Sequence, residues 1–284
     1  MQRDIIWDVR WCPHEGESDL FVSGSADHTA RIWKVDTEAH TMSVLWSYSG
    51  HDGSVNTVRY HPTKNIICSS SGDRTCHIWK PSLSNSLKEY QSNCLRSLNR
   101  ENDEETPSHR SLLSESQIIT KPLIKLIAHQ GFVTTGEWSA DGSQIFTGSQ
   151  DATIKVWDMG DASKPMFTFP GHDSTITSIA CHPSNTNLFY SSSQDKTIRM
   201  WDTRASSYMI NVLHGHEKGV SHVMFDRHNP SVLISGSDDC TVKLWDVKTL
   251  QCLVTIHTSY VMNHFSQSPE DDMLCIPSRN ASAE

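Results

Sequence analysis

Short apolar or alternating runs, separated by polar turn residues, make up most of this chain. Val55–Tyr60 alternates between apolar and polar positions, Ile66–Ser70 is short and bounded by polar residues, and Thr75–Trp79 ends at a tryptophan. Turn-forming residues stand between such runs, as at His61-Pro62-Thr63 and Ala140-Asp141-Gly142. No long helical period is present. The pattern therefore predicts an all-β fold built from short strands.

An internal repeat dominates the sequence. Five aspartates each precede a tryptophan by six positions: Asp27 and Trp33, Asp73 and Trp79, Asp151 and Trp157, Asp195 and Trp201, Asp239 and Trp245. Four of these aspartates follow a small residue and a histidine, which lie 22 or 23 positions upstream: His51, His129, His172 and His216. The last three histidines are 43 and 44 residues apart, the length of a four-stranded propeller blade.

This repeat resembles that of the WD-repeat β-propeller family. The resemblance implies five recognisable blades and a partial sixth, because strand-like runs at 252–256, 261–265 and 273–276 follow the last repeat without a closing Asp and Trp. Family members most often have seven blades, so we expect an incomplete, truncated seven-bladed propeller with exposed sheet edges. We expect blades 1 and 2 in residues 1–81, a disordered polar loop in 82–117, and blades 3 to 5 with the partial sixth in 118–284.

The resemblance also implies that the repeat residues form a buried structural tetrad. In it the Asp accepts a hydrogen bond from His, the His reaches a Ser or Thr hydroxyl, and that hydroxyl accepts from the Trp indole. Each buried polar group needs its partner, since an unpaired one costs about 1–3 kcal/mol. The hydroxyl candidates are Ser69 to Ser71, Thr147 or Ser149, Ser191 to Ser193, and Ser235 or Ser237. The first repeat has no histidine at the matching place, so we expect its tetrad to be incomplete.

Charge and composition exclude several functional classes. Lys and Arg total 24 against 33 Asp and Glu, a net charge of −9 that disfavours nucleic acid as a direct partner. No apolar window is long enough for a membrane span. The eight cysteines include no C-x-x-C pair, and no phosphate-binding loop, nucleophile elbow or H-E-x-x-H motif occurs. The sequence predicts no enzyme activity, no metal site and no cofactor.

Partner-binding residues are expected on the face around the central channel, which loops and strand ends form and which propellers commonly use for binding. The resemblance implies that two positions in each repeat tend to face that surface. One is the residue after the first apolar position of the strand that follows the repeat His, and the other is the residue before the turn Asp. These positions, with the nearby aromatic Phe132, are Trp7, Asn56, Phe132, Thr134, Gln150, Thr177, Gln194, Ser221 and Asp238. The set is polar and rich in hydroxyls, and its two aromatic residues are of the type enriched at binding hot spots.

Several stretches carry a closer likeness to one member of the family, among them Ser25–Trp33, Gly50–Asn56, Ser71–Trp79 and Ser235–Trp245. That likeness implies a non-catalytic scaffold or adaptor of the cytoplasm and nucleus, acting in trafficking or calcium-homeostasis complexes with phosphofurin acidic cluster sorting proteins. The alternative is a propeller that reads modified peptide tails or serves as a substrate receptor in a larger complex.

Overall fold

The computed structural model describes residues 4–14, 19–81, 118–205, 208–267 and 273–275. Within these ranges the chain forms β-strands and turns and contains no helix, so no described helix could cross a membrane. The first nine strands are β1 Ile6–Trp11, β2 Leu20–Ser25, β3 Ala30–Asp36, β4 Thr41–Tyr48, β5 Val55–Tyr60, β6 Ile67–Ser71, β7 Thr75–Trp79, β8 Ile118–Ile119 and β9 Ile124–Ile127. The rest are β10 Val133–Trp138, β11 Gln144–Ser149, β12 Ile154–Asp158, β13 Phe167–Phe169, β14 Ile176–Cys181, β15 Leu188–Ser193, β16 Ile198–Asp202, β17 Met209–Leu213, β18 Val220–Phe225, β19 Val232–Ser237, β20 Thr241–Asp246, β21 Cys252–His257, β22 Ser266–Gln267 and β23 Leu274–Cys275.

The strands form five antiparallel sheets of the blade type and one small pair. The sheet orders are β1-β2-β3-β4-β8, β5-β6-β7-β9, β10-β11-β12-β13, β14-β15-β16-β17, β18-β19-β20-β21 and β22-β23. Neighbouring strands of each blade-type sheet follow one another in the chain, except that β8 pairs in parallel with β4 of the first sheet and β9 completes the second sheet. The all-β prediction is confirmed, and the sheets are those of a WD β-propeller.

Two strands occupy places that the repeat spacing did not indicate. The outer strand of the second sheet is β9, which follows residues 82–117 in the chain. The run beginning at Cys252, expected to open a sixth unit, instead pairs with β20 as the outer strand of the fifth sheet. A short turn makes this possible, because the Leu250 amide bonds to the Asp246 carbonyl at 2.8 Å and returns the chain antiparallel. The predicted disordered loop at 82–117 lies outside the described residues.

The chain divides into two compact units. Unit 1 comprises Met1–Asp73 and His77–Lys125, and unit 2 comprises Arg74–Cys76 and Leu126–Glu284. In unit 1, one apolar cluster joins Val22 and Ile32 of the first sheet to Val55 and Val58 of the second. In unit 2, each sheet packs against the next through clusters of the same kind. Burial between consecutive sheets therefore supplies the core, because a single blade cannot bury its own apolar faces.

The turn after each repeat Asp has the same backbone conformation. The next residue has a positive φ between 62° and 73° in all five repeats: His28, Arg74, Ala152, Lys196 and Cys240. This left-handed conformation costs a non-glycine residue about 1–2 kcal/mol. The tight turn places the Asp carboxylate beside the strands that carry the tetrad.

Candidate functional site

The structure brings the repeat side chains together in four of the five repeats. His129 Nδ1 lies 3.0 Å from Asp151 Oδ2, and His129 Nε2 lies 2.9 Å from Thr147 Oγ1. Trp157 Nε1 donates to the same hydroxyl oxygen at 3.0 Å. Matching bonds join His51, Asp73, Ser69 and Trp79; His172, Asp195, Ser191 and Trp201; and His216, Asp239, Ser235 and Trp245. The hydroxyl that is used always lies ten residues before the Trp.

The other serine of each candidate set has a different partner. Ser149 Oγ accepts the Asp151 backbone amide at 3.1 Å, and Ser193 and Ser237 do the same for Asp195 and Asp239. The two hydroxyls thus have different roles. One binds the His and Trp side chains, and the other accepts a hydrogen bond from the turn that carries the Asp. The two hydroxyls are two residues apart and share one face of the strand, but Ser149, Ser193 and Ser237 are the last residues of their strands and so lie next to the turn.

Burial favours the neutral form of three tetrad histidines, and hydrogen bonds favour the ionised form of their aspartates. Burial lowers the pKa of His129, His172 and His216, and the hydrogen bond to Asp only partly opposes it. Burial alone would raise the pKa of Asp151 and Asp239, but hydrogen bonds from Thr hydroxyls, backbone amides and His lower each to about 2. A neutral His that donates from Nδ1 must accept at Nε2, so the Ser or Thr hydroxyl donates to His and accepts from Trp.

A threonine two residues after the Asp belongs to the network, although the sequence analysis missed it. The hydroxyls of Thr153, Thr197 and Thr241 each donate to their aspartate at 2.6 Å. The signal was present in the sequence, because Asp-x-Thr recurs in all five repeats. Each carboxylate therefore has several donors, which explains how it remains charged at a half-buried site.

The first repeat is built differently. Asp27 accepts from the Thr29 hydroxyl at 2.6 Å and lies 3.4 Å from the Arg31 guanidinium, and Trp33 donates to Ser23 at 2.8 Å. Within the described residues no histidine links Asp27 to the hydrogen-bonded pair of Ser23 and Trp33. Trp33 is half-buried, whereas the other four signature tryptophans are fully buried.

The second repeat extends its network with two further rings. His77 stacks on His51 with ring centres 3.8 Å apart and an angle of 8°, and Tyr48 Oη lies 2.6 Å from His77 Nδ1. His51, Asp73 and His77 offer ligand atoms within 4.8 Å of one another. A shared metal ion does not fit, however, because nitrogen lone pairs lie in the ring plane and those of parallel rings cannot converge on one point. The cluster is a hydrogen-bonded part of the core.

Three of the predicted binding residues lie in the first strands of the sheets of unit 2 and use their hydroxyls to bond to backbone carbonyls of the segment that follows the sheet. Thr134 Oγ1 donates to the Ile176 carbonyl at 2.5 Å, and Thr177 Oγ1 donates to the Val220 carbonyl at 2.6 Å. Ser221 donates in the same way to the Met262 carbonyl. These hydroxyls therefore have a structural role that the sequence pattern did not indicate, and their part in binding stays a prediction.

The other predicted residues of unit 2 lie where loops meet strand ends. The Gln150 amide bonds to the Phe132 carbonyl at 2.9 Å, and the Asp238 amide bonds to the Gly219 carbonyl at 3.0 Å. Gln194 lies over Gly219, where a Cβ would overlap its amide oxygen. Phe132, Gln150 and Gln194 are exposed and Asp238 is half-buried. We call Phe132, Gln150, Gln194 and Asp238 the loop surface.

Two predicted binding residues belong to unit 1. Trp7 is exposed in the first strand of its sheet, and Asn56 is half-buried in the first strand of the next sheet. Both follow the strand's first residue, so they share a repeat position with Thr134, Thr177 and Ser221. Trp7 thus presents a large aromatic ring where the other repeats carry a small polar side chain.

Comparison with known proteins agrees with this architecture. The family described as WD domain, G-beta repeat matches residues 2–34, 42–80, 120–158, 163–202 and 207–246. The chain belongs to this WD40 family. It is 31% identical over 188 residues to WD repeat-containing protein 37 of Mus musculus and 32% identical over 188 residues to that of Homo sapiens. Each match covers 64% of this chain but only 36% of the relative's length. A guanine nucleotide-binding protein subunit beta of Oryza sativa subsp. japonica is 27% identical over 166 residues, 51% of this chain and 42% of that protein.

Proposed function

We propose that this chain is a non-catalytic protein-interaction scaffold. The observation that carries the proposal is the internal use of its reactive side chains. In four repeats the imidazole, carboxylate, hydroxyl and indole groups bond to one another in the core. WD repeat proteins generally act as protein-interaction scaffolds, and rigid sheets that present loops suit that role.

The loop surface of unit 2 supports binding to another protein. Phe132 offers an exposed aromatic ring beside Gln150, and Gln194 and Asp238 hold the position of Gln150 in the next two repeats, which gives the surface polar and mildly acidic groups. An aromatic anchor within a polar rim is typical of interface hot spots. The backbone of this surface is fixed by the loop-to-strand hydrogen bonds, so little ordering is needed on binding.

A more specific proposal concerns the partner protein and the cellular compartment. We place the chain in trafficking or calcium-homeostasis complexes with phosphofurin acidic cluster sorting proteins, in the cytoplasm and nucleus. The support is the similarity to WD repeat-containing protein 37 over 64% of the chain. Because the match spans about a third of that relative, the partner must be tested directly on this chain.

The test is binding of the full chain to a purified phosphofurin acidic cluster sorting protein, measured by calorimetry. Phe132→Ala should weaken binding by about 30-fold or more, as expected for a hot-spot aromatic. Met166→Ala, which shortens another exposed apolar side chain of unit 2, should bind like the wild type. Unchanged binding of the Phe132 variant would exclude the loop surface. Absence of any binding would exclude the partner, and proximity labelling in cells would then test the scaffold role itself.

A further inference from the structure

Every blade-type sheet carries one apolar residue at the same place in its outer strand, beside the residue that precedes the signature Trp. In three sheets it is the extra residue of a β-bulge, and in the other two its amide bonds to the carbonyl of the residue before Trp at 2.7 Å. The five residues are Leu45, Leu123, Met166, Ile210 and Leu253. Leu45 is fully buried, whereas the other four are between 42% and 62% exposed.

The first sheet differs from the others by its added strand, β8. This strand pairs in parallel with β4 at Ser47 and Tyr48, and the Ser49 amide donates to the Ile119 carbonyl at 2.9 Å. Ile119 packs against the apolar cluster that includes Leu45. An extended segment with two isoleucines thus occupies the outer edge of this sheet, and the apolar residue of that edge is buried.

The fourth sheet presents the same edge with no added strand among the described residues, because its strand order ends at β17. By register against the third strand of each sheet, Val212 and His214 hold the places of Ser47 and Ser49. The Val212 amide faces away from β16, since it bonds to the side chain of the preceding Asn211 at 2.8 Å. We call Ile210, Val212 and His214 the outer edge of β17.

The faces of the fourth sheet are covered, so a further strand can reach it only along this edge. Apolar clusters join the sheet to the third sheet on one side and to the fifth on the other. Strand β17, Met-Ile-Asn-Val-Leu, contains no charged residue and no proline, the residues that commonly prevent pairing at a sheet edge. The Asn211 side chain that caps the Val212 amide is exposed and can turn away.

We propose that the outer edge of β17 binds an extended segment of a partner protein, which carries two adjacent β-branched aliphatic residues and adds a parallel strand. The pairing of β8 with β4 is the basis for this chemistry. Main-chain hydrogen bonds to Val212 and His214 hold the segment, and Ile210 contacts one of its aliphatic side chains, as in other cases of strand addition. The site uses none of the residues of the loop surface.

A fluorescent peptide with the sequence of residues 116–123 serves as the probe, and its anisotropy is measured against the full chain. The wild type should bind this peptide saturably. Replacing both isoleucines of the peptide by serine, or Ile210 of the protein in Ile210→Glu, should weaken binding by about 10-fold or more through loss of the apolar contact. Met42→Glu adds the same charge at an exposed apolar residue of β4 and should bind like the wild type.

Hydrogen exchange distinguishes this site from the edge of β4, where the peptide could replace β8. Bound peptide should slow exchange in residues 209–214. Val212→Pro removes the outward amide and places a ring on the edge, so binding should be lost while circular dichroism and a cooperative melt are retained. Ile210→Glu replaces this test if proline prevents folding. The proposal would be overturned by a lack of saturable binding, by slower exchange in residues 43–49 alone, or by unchanged binding of a folded β17 variant.

Discussion

His77 lies face to face with His51, and its Nδ1 is hydrogen-bonded to the hydroxyl of Tyr48. The four equivalent positions in the other repeats carry Arg31, Lys155, Arg199 and Lys243. The second repeat has therefore replaced a cation beside the turn Asp by a neutral ring. The exchange joins Tyr48 of the first sheet to the tetrad of the second, which ties the two sheets of unit 1 together.

This arrangement makes the stability of the protein sensitive to acid. Burial, and then the neighbouring His51, lower the pKa of His77 to about 3, whereas the unfolded chain titrates near 6.5. Between these values the unfolded state holds a proton that the folded state does not, so the free energy of unfolding falls as pH decreases from about 6.5 towards 3. Burial of His129, His172 and His216 acts in the same direction.

We expect His77→Gln to reduce this acid sensitivity. Glutamine can still bond to Tyr48 but does not titrate, so urea unfolding at pH 7 and pH 5 should differ less in free energy than for the wild type. At pH 7 the variant should lose about 0.5–1.5 kcal/mol through the missing ring contact. An unchanged difference between the two pH values would show that His77 does not contribute to the acid response.

The Thr147 hydroxyl is expected to be a main support of the third repeat. Thr147→Val removes the donor to His129 and the acceptor of Trp157, leaving two buried polar groups unpaired. The free energy of unfolding should fall by roughly 2–6 kcal/mol, at about 1–3 kcal/mol for each group. Thr147→Ser keeps the hydroxyl, as serine does at this position in the other repeats, and should cost only about 1 kcal/mol. Equal losses for both variants in urea unfolding would contradict the hydrogen-bond explanation.

The repeat spacing predicted which His, Asp and Trp belong together, but it did not identify the hydroxyl. Several Ser or Thr residues stand close to each Asp, and two of them, such as Thr147 and Ser149, share one face of the strand, so alternation alone does not tell which one bonds to the His. The constant interval of ten residues before Trp, from Ser23 to Ser235, would have identified it. His77 and Tyr48 were beyond sequence reasoning, because their meeting depends on how the first two sheets pack. The β8 pairing was equally hidden, since a two-residue strand leaves no periodic signal.

A buried ion pair links the two sheets of unit 1. Asp8 binds the Arg59 guanidinium and accepts the Val58 amide at 3.1 Å, and both side chains are buried. Asp8→Asn removes the carboxylate charge that both Arg59 and Arg10 bind, so it should destabilise unit 1 by about 3–5 kcal/mol. Asp19→Asn breaks the exposed pair with Lys34 and should cost at most about 1 kcal/mol.

A paired replacement shows whether the cost of Asp8→Asn comes from the unpaired charge. Asp8→Leu together with Arg59→Met removes both charges and keeps apolar volume, and it should recover most of the stability lost in the single variant. Thermal melting at several salt concentrations measures this directly. If the double variant is as unstable as Asp8→Asn, the Asp8 carboxylate matters through its bond to the Val58 amide and not through the charge pair.

The turn after Asp151 offers a stabilising change. Ala152 has a φ of +62°. In this left-handed conformation the Cβ of alanine is strained, whereas glycine, which has no Cβ, adopts it without steric cost. Ala152→Gly should therefore raise the free energy of unfolding by about 0.5–1 kcal/mol, even though glycine makes the unfolded chain more flexible. Ala140→Gly changes a turn residue whose own φ is not positive, so it carries only the entropic cost and should lower stability by about 0.4–1 kcal/mol. The opposite signs of the two changes, measured by urea unfolding, distinguish relief of backbone strain from a general effect of glycine.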